Sequence, residues 1–411
     1  MDFPIDGVRA KFPALARSHP FLYFDNAAGA QAPQNALDAV AAHLLDFNVQ
    51  RGGRYEKSRM VDRVIATARE KVASFLNAKD ATEICFGMNA TSFIRLVSLA
   101  IGQTIDAGRD EIIVTDLDHD ANIATWLALR SFGVRFAWWR MRDDFRLHIE
   151  DLVPLLSART RLVACTAASH ALGSLVDVAG VAKAVHAVGG ELFVDCVHFA
   201  PHGLIDIEAW DCDYLVCSGY KTFSPHMGFL WGKRDKLIAL PTFREDFIPD
   251  EPPYKIEAGT FVYENVVGMS AVIDYLEALG REQAPPHDAA LTARSAIEIA
   301  MRSIQLYEQT LSRALLGVLS GVAARIFGVS DPAAVADRVP TLCFTLGDHH
   351  PGMVAQRLAD AGIGIRDGHM YAPRLMARLG LPLERGALRV SLVHYNTLDE
   401  IDRFAEVIQA I

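Results

Sequence analysis

Between residues 83 and 218 the chain repeats one pattern: a short run of apolar, β-favouring residues, then a stretch of helical periodicity. The runs are EICFG at 83–87, EIIVT at 111–115, VRFAWW at 134–139, RLVACTA at 161–167, ELFVD at 191–195 and YLVCS at 214–218, with helical stretches such as 121–131 and 178–188 between them. Strands separated by helices cannot pair as tight hairpins. Each returns by a crossover, which builds a mostly parallel sheet covered on both faces. The predicted class is α/β, with a large doubly wound domain.

At 411 residues the chain is too long for one core, and two domains are expected. Residues 21–26 (FLYFDN) read as a short extended segment before the turn-like AAGAQAP, and helices are predicted over 34–48 and 61–76. The polar, Pro-containing REQAPPHDAA after Gly280 reads as a connector. Beyond it come a long helix at about 290–318, a strand at 341–346, a helix at 353–361, the segment GIGIR, the strand LRVSLV and a terminal helix from about Leu398. The division expected is an N-terminal segment (1–20) packing with the small domain, a large domain (21–285) and a small α+β C-terminal domain (286–411).

The net charge of −10 disfavours nonspecific nucleic-acid binding. The charged N-terminus does not read as a signal peptide, and the apolar stretches are interrupted before bilayer-spanning length, so a cytoplasmic protein without membrane contact is expected. None of the six cysteines sits in a CxxC pair. They read as free thiols in a reducing compartment, and no metal site is called for.

Two strand ends carry chemistry. In ELFVDCVHFAPHG (191–203) an apolar strand ends in Asp195, with His198 three residues on; ligands of open α/β sheets bind at such carboxyl ends. On its own Asp195 reads equally as the cap of a turn. In YLVCSGYKTFSPHMG (214–228) the next strand ends in Ser218-Gly219-Tyr220-Lys221. A lysine among apolar residues is either salt-bridged or carries a depressed pKa suited to Schiff-base chemistry. Together, a carboxylate at one strand end and Ser-x-x-Lys at the next match the needs of pyridoxal phosphate (PLP): an acid for the ring nitrogen and an amine for the aldehyde.

The ordered set YFDNAAGAQAP (23–33), NATSFIRLVSLA (89–100), DHDANIATW (118–126), SHALGSLVDV (169–178), VDCVHFAPHG, SGYKTFSPHMG, EAGT (257–260), IRDGHMYAP (365–373) and LRVSLVHYNTLDEIDRF (388–404) resembles the class V aminotransferase family, in its cysteine desulfurase-like branch. The resemblance implies the fold type I of PLP-dependent transferases, a PLP cofactor and an amino-acid substrate. It implies Lys221 as the Schiff-base lysine, Asp195 as the partner of the pyridinium nitrogen, and His119 as the imidazole that stacks on the ring and handles protons. Ala90, Thr91 and Ser218 match phosphate-binding positions, and Tyr220 stands where the family usually has a phosphate-binding His. Thr260 matches a residue that reaches the phosphate across a dimer interface, which implies a homodimer with shared sites. Arg389 matches the guanidinium that takes the substrate carboxylate as a fork.

The departures bear on the reaction. Desulfurases carry a sulfur-accepting cysteine on a mobile loop; Tyr371 falls at its place in IRDGHMYAPRL, and a phenol cannot accept sulfur as a thiolate does. His198 replaces a Gln that bonds the cofactor's phenolic oxygen, and His170 replaces an Asn at the substrate carboxylate. His369 and Tyr371 would face the substrate, with Tyr371 as acid–base group or pocket wall. His202 and His226 add polar groups near the same strand ends, as site candidates or, the simpler reading, as turn or surface residues. The loop QRGGRYEKSR (50–59) offers Arg51 and Arg54 as substrate contacts or as solvated charges. The function expected is a C–S lyase/β-elimination or aminotransferase-type reaction on an amino acid. The alternatives are a true desulfurase with an external thiol acceptor, or a catalytically silent PLP-binding regulatory or assembly protein.

Overall fold

The apolar runs of the first half lie side by side in one sheet of the computed structural model, which describes residues 3–17, 20–285 and 291–411. After a two-residue strand β1 (Leu22–Tyr23), this sheet takes up β2 (Ile84–Gly87), β3 (Glu111–Thr115), β4 (Arg135–Trp139), β5 (Thr160–Thr166), β6 (Glu191–Asp195), β7 (Tyr214–Ser218) and β8 (Gly228–Gly232). Their spatial order is β2-β8-β7-β6-β5-β3-β4. Among the described residues β8 alone runs against its neighbours, β2 and β7; the other pairings are parallel.

Side chains alternate between two apolar layers, as the pleat demands. Ile113, Val163, Val194 and Leu215 pack with Val72, Met269 and Leu276 on one face. Ile112, Leu162, Phe193 and Val216 pack with Ile94, Val97 and Trp126 on the other. Burial on both faces explains why these strands read as unbroken apolar runs.

Three local expectations differ from the structure. The helix expected from 61 begins at Glu56, because Ser58 Oγ accepts from Gly53 N (2.6 Å) and donates to Gln50 O (2.7 Å), fastening the preceding loop onto the first turn. The helix Tyr263–Gln283 was not foreseen. Twelve of its residues are buried, so no polar stripe marks it in the sequence. Gly280 lets it pack against the helix Ala293–Gly321, since a Cβ there would lie 1.8 Å from Ala296 O. Of the expected connector 281–290, residues 281–283 finish the helix Tyr263–Gln283 and 286–290 lie outside the described residues.

The second sheet uses β9 (Arg325–Phe327), β10 (Thr341–Thr345), β12 (Arg366–Gly368) and β13 (Ala387–Ser391), antiparallel in the order β12-β13-β10-β9, with the short β11 (Ile363–Gly364) beside it. The helices Ala293–Gly321, Pro351–Asp360 and Leu398–Gln409 supply its apolar cover. β1 pairs in parallel with β11, Leu22 opposite Ile363, so the segment expected to open the large domain belongs by pairing to this second unit. The N-terminal segment packs there too: the Phe3 ring stacks on Tyr307 at 4.4 Å, and Arg9 donates to Tyr395 O and Glu400 Oε1. Among the described residues no helix is long and apolar enough to cross a membrane.

Candidate active site

Five parallel strands deliver one cavity at their carboxyl ends. Ala90 and Thr91 follow β2, His119 and Ala121 follow β3, and Thr166 and His170 end and follow β5. Asp195, Val197 and His198 end and follow β6, and Ser218, Tyr220 and Lys221 end and follow β7. These residues line one concave site in which polar and ionisable side chains converge. The structure therefore brings together nine residues singled out in the sequence: Ala90, Thr91, His119, His170, Asp195, His198, Ser218, Tyr220 and Lys221.

Lys221 ends a tight turn after β7 and is 8% exposed. Its Nζ has no hydrogen bond or ion pair among the described residues; the nearest aromatic face is Tyr220, at 5.8 Å. Burial, helped by the Arg389 charge and opposed by Asp195, pushes its pKa down to about 8. An unpaired buried ammonium is costly, which is the physical signature of an amine kept for reaction rather than for structure. Asp195 Oδ1 accepts from Val197 N at 3.0 Å. Burial raises its pKa against that bond and the Lys221 charge, so a cationic partner in the cavity would be well received.

His119 Nδ1 accepts from Ala121 N at 3.0 Å. The ring thus caps its helix and lines the cavity at once, and its proton must sit on Nε2. Burial, with Lys221 and Arg389 nearby, lowers its pKa to about 4, so the imidazole is neutral. Beneath it Asp118 accepts from Thr115 Oγ1 and from Asn122 Nδ2 (2.7 Å), and burial lifts its pKa to about 7. After β2, Asn89 caps the helix Ala90–Gly102 in a reciprocal capping box with Ser92, and Ala90 N donates to Ser218 Oγ at 3.0 Å. The positive end of that helix opens on the cavity. Gly228 allows this turn to sit where it does: a Cβ there would lie 2.6 Å from Asn89 Cα.

The remaining expected residues lie outside the cavity lining. Arg389 is buried, but its guanidinium is already engaged, donating to Asp25 Oδ1 (2.8 Å) and His170 O (3.0 Å), while Nε has no partner. Tyr371 is 59% exposed, its ring 5.8 Å from that of His119. His369 is exposed and accepts from Tyr371 N through Nδ1. Met370 and Tyr371 both hold positive φ (52° and 60°), a strained pair fixed by Met370 O on His170 Nε2 (2.8 Å) and Tyr371 O on Asp120 N (2.9 Å). Thr260 is exposed, taking a hydrogen bond from Gln50 Nε2, and Arg54 is exposed. Arg51 pairs with Asp62 at 3.1 Å. His226 stacks on Tyr220 with ring centres 5.0 Å apart. His202 is no surface residue: it is buried, with Nδ1 2.9 Å from Glu308 Oε2 on the helix Ala293–Gly321.

Two groups escaped the sequence reading. Asp25 joins two arginines, Arg366 (Nε to Oδ2, 2.9 Å) and Arg389, beside a second open cavity lined by Tyr23, Gly29 and Arg366. Asp25 and Arg366 were visible as charges inside the quoted motifs YFDN and IRDG. Glu257 of EAGT is the other: buried, it pairs with Arg69 at 2.5 Å and accepts from Phe86 N, tying its loop to β2.

Comparison with known proteins places the chain in a lineage. The family described as aminotransferase class-V matches residues 22–300 and 292–404. The chain belongs to the class-V aminotransferase family. Among its relatives, a cysteine desulfurase of Pectobacterium atrosepticum is 34% identical across 100% of this chain and 98% of the relative. A probable cysteine desulfurase of Streptomyces coelicolor is 30% identical over 99% and 96%. Among solved structures, an apo cysteine desulfurase from Thermococcus onnurineus superposes with a TM-score of 0.87 at 25% identity, covering 100% of this chain and 98% of that one. The S-sulfonic acid structure of an Escherichia coli cysteine desulfurase gives 0.84 at 26%, with the same coverage.

This class-V aminotransferase family member is PLP-dependent and cysteine desulfurase-like, with the α/β architecture of fold type I. Its donor set fits the cofactor. The unpartnered Lys221 amine suits an aldehyde, buried Asp195 suits a pyridinium N–H, and Ser218, Thr91 and the helix start at Ala90 suit a phosphate.

Proposed function

We propose that the protein is a PLP-dependent lyase that eliminates a β-substituent, such as sulfide, from an amino acid without passing sulfur to a protein thiol. One observation carries this reading. All six cysteines are buried at 0% exposure, and the segment that faces His119 from the second unit carries Tyr371. A buried thiol whose pKa is raised, as burial raises that of Cys343 to about 12, is a poor sulfur acceptor.

Bound PLP supplies an electron-accepting ring that acidifies the substrate's Cα–H. Lys221 would anchor that group, and its free amine would serve as the base at Cα; its pKa near 8 keeps a useful neutral fraction at physiological pH. The proton that Lys221 takes from Cα is the one returned to the leaving group, and the Nε2–H of neutral His119 is assigned to a hydrogen bond to that departing atom. Asp195 holds the ring nitrogen in its protonated form. The unpartnered Nε of Arg389 and the neighbouring Arg366 are assigned to the substrate carboxylate, with Asp25 holding both arginines in place. His170 fixes the Tyr371 segment through Met370 O, and Tyr371 walls the cavity mouth. A second copy of the chain is assigned to Thr260 and the phosphate turn: Met88 beside that turn is 69% exposed, and Phe243 and Phe247 on the loop before EAGT are 89% and 80% exposed.

With L-cysteine, elimination yields sulfide, pyruvate and ammonia, whereas desulfuration yields alanine and leaves the sulfur on a thiol. The relatives' names favour the second reading, desulfuration onto an external thiol. The deciding experiment assays pyruvate and alanine from an amino-acid panel, with and without added thiol, for the natural protein and Tyr371→Cys. Pyruvate from the natural protein, and alanine gained only by the variant, support the lyase. Robust alanine formation by the natural protein overturns it.

A further inference from the structure

His198 lines the cavity wall, and its Nε2 lies 3.0 Å from Thr341 Oγ1, which comes from β10 of the second sheet. Both residues are buried, at 3% and 0% exposure. The His198 ring also meets the His202 ring edge-on at 5.2 Å, and His202 is held by Glu308. Burial, with His202, Lys221, Arg389 and His170 as surrounding cationic or basic groups, lowers the His198 pKa well below its ordinary value, so the ring is neutral and carries one N–H.

Which nitrogen carries it follows from counting donors and acceptors. If Nε2–H donated to Thr341 Oγ1, the threonine's own O–H would be left buried with no acceptor among the described residues, because its Oγ1 makes no other bond there. Leaving such a group unmade is the expensive option. If instead Thr341 O–H donates to Nε2, the hydroxyl is satisfied and the proton resides on Nδ1, the ring nitrogen with no partner among the described residues.

We propose that Thr341 is a positioning residue that sets the tautomer of His198, so that the cavity wall offers an N–H to an acceptor oxygen of the bound cofactor. The donor on this wall is thus governed by the second unit of the fold: the strand that pairs with Arg389's strand also orients His198. The inference rests on reading the cavity as the cofactor's, but its first readout does not require the cofactor.

Histidine ring nitrogens of the full-length protein, ¹⁵N-labelled and free of cofactor, are followed by NMR and assigned with His198→Gln. The expected result is a protonated Nδ1 and a bare Nε2 at His198. Thr341→Val, isosteric but without the hydroxyl, is expected to relax this to a mixture of tautomers and to weaken PLP binding about tenfold, the loss of one neutral hydrogen bond. Thr341→Ser is expected to restore both. A natural protein with its proton on Nε2, or a Val variant whose His198 signals match the natural protein's, overturns the proposal. Should Thr341→Val fail to fold, the tautomer in the natural protein and in Thr341→Ser still decides. Failure of the natural protein to bind PLP at Lys221 would instead sink the cofactor reading and leave the NMR result standing.

Discussion

Replacing Lys221 by methionine should make the cofactor-free protein more stable, and by a pH-dependent amount. The amine is buried without a hydrogen bond or counter-ion, and its pKa falls from 10.5 to about 8. At about 1.4 kcal/mol per tenfold change in proton affinity, the folded state carries a penalty of about 3 kcal/mol at pH 7. The sign follows from a depressed pKa on a base. Above 10.5 the amine is neutral folded and unfolded, and the penalty is absent. As the pH falls through 8 the folded state must hold a charge it cannot solvate, and the penalty is complete. Methionine has similar length and no charge, so the variant should exceed the natural protein by about 3 kcal/mol at pH 7 and about 1.5 kcal/mol at pH 9.5. Urea unfolding of both proteins, stripped of cofactor and at equal concentration, measures the gap at each pH. A structural lysine would behave oppositely, since breaking a buried pair costs about 3–5 kcal/mol. A Met variant less stable at pH 7, or a gap that does not shrink on raising the pH, refutes the reasoning.

Further outcomes follow from the same geometry. Gly228→Ala drives a methyl group into the Asn89 backbone and should cost about 1–3 kcal/mol of stability while weakening PLP binding about tenfold or more; a visible-absorbance titration with normal affinity would contradict it. Asp118, with its pKa raised to about 7, contributes stability that is complete below about pH 4 and lost as the pH rises through 7. Asp118→Asn should therefore gain on the natural protein by up to about 1.4 kcal/mol per pH unit between about pH 4 and pH 7 and hold level above that, and parallel unfolding profiles between about pH 4.5 and pH 7 would refute this. Asp25→Asn should raise KM for a carboxylate-bearing substrate through loosened Arg366 and Arg389, with cofactor absorbance unchanged; an unaltered KM would remove Asp25 from that role.

What was legible in the sequence tracks what local chemistry determines. EIIVT, ELFVD and YLVCS form strands over the predicted residues, because an apolar run bounded by polar residues and buried on both faces leaves little freedom. The cavity was legible for a related reason: parallel strands put their carboxyl ends together, so Asp195, Ser218 and Lys221 meet wherever their strands are neighbours. Long-range pairing was not legible. Asp25 and Arg389 stand 364 positions apart, and nothing local states that the guanidinium is engaged by that carboxylate. His202 read as a surface residue because its partner, Glu308, lies on a helix 106 residues away. The helix Tyr263–Gln283 escaped because burial around most of its circumference erases the polar face by which amphipathic helices are recognised.

Reducing the PLP-loaded protein with borohydride and mapping the modified peptide by mass spectrometry tests the central claim most directly. The cofactor's mass is expected on the peptide carrying Lys221, with no such label when Lys221→Met is treated in the same way. A label on another lysine, or a Lys221→Met protein that still traps the cofactor irreversibly, contradicts it.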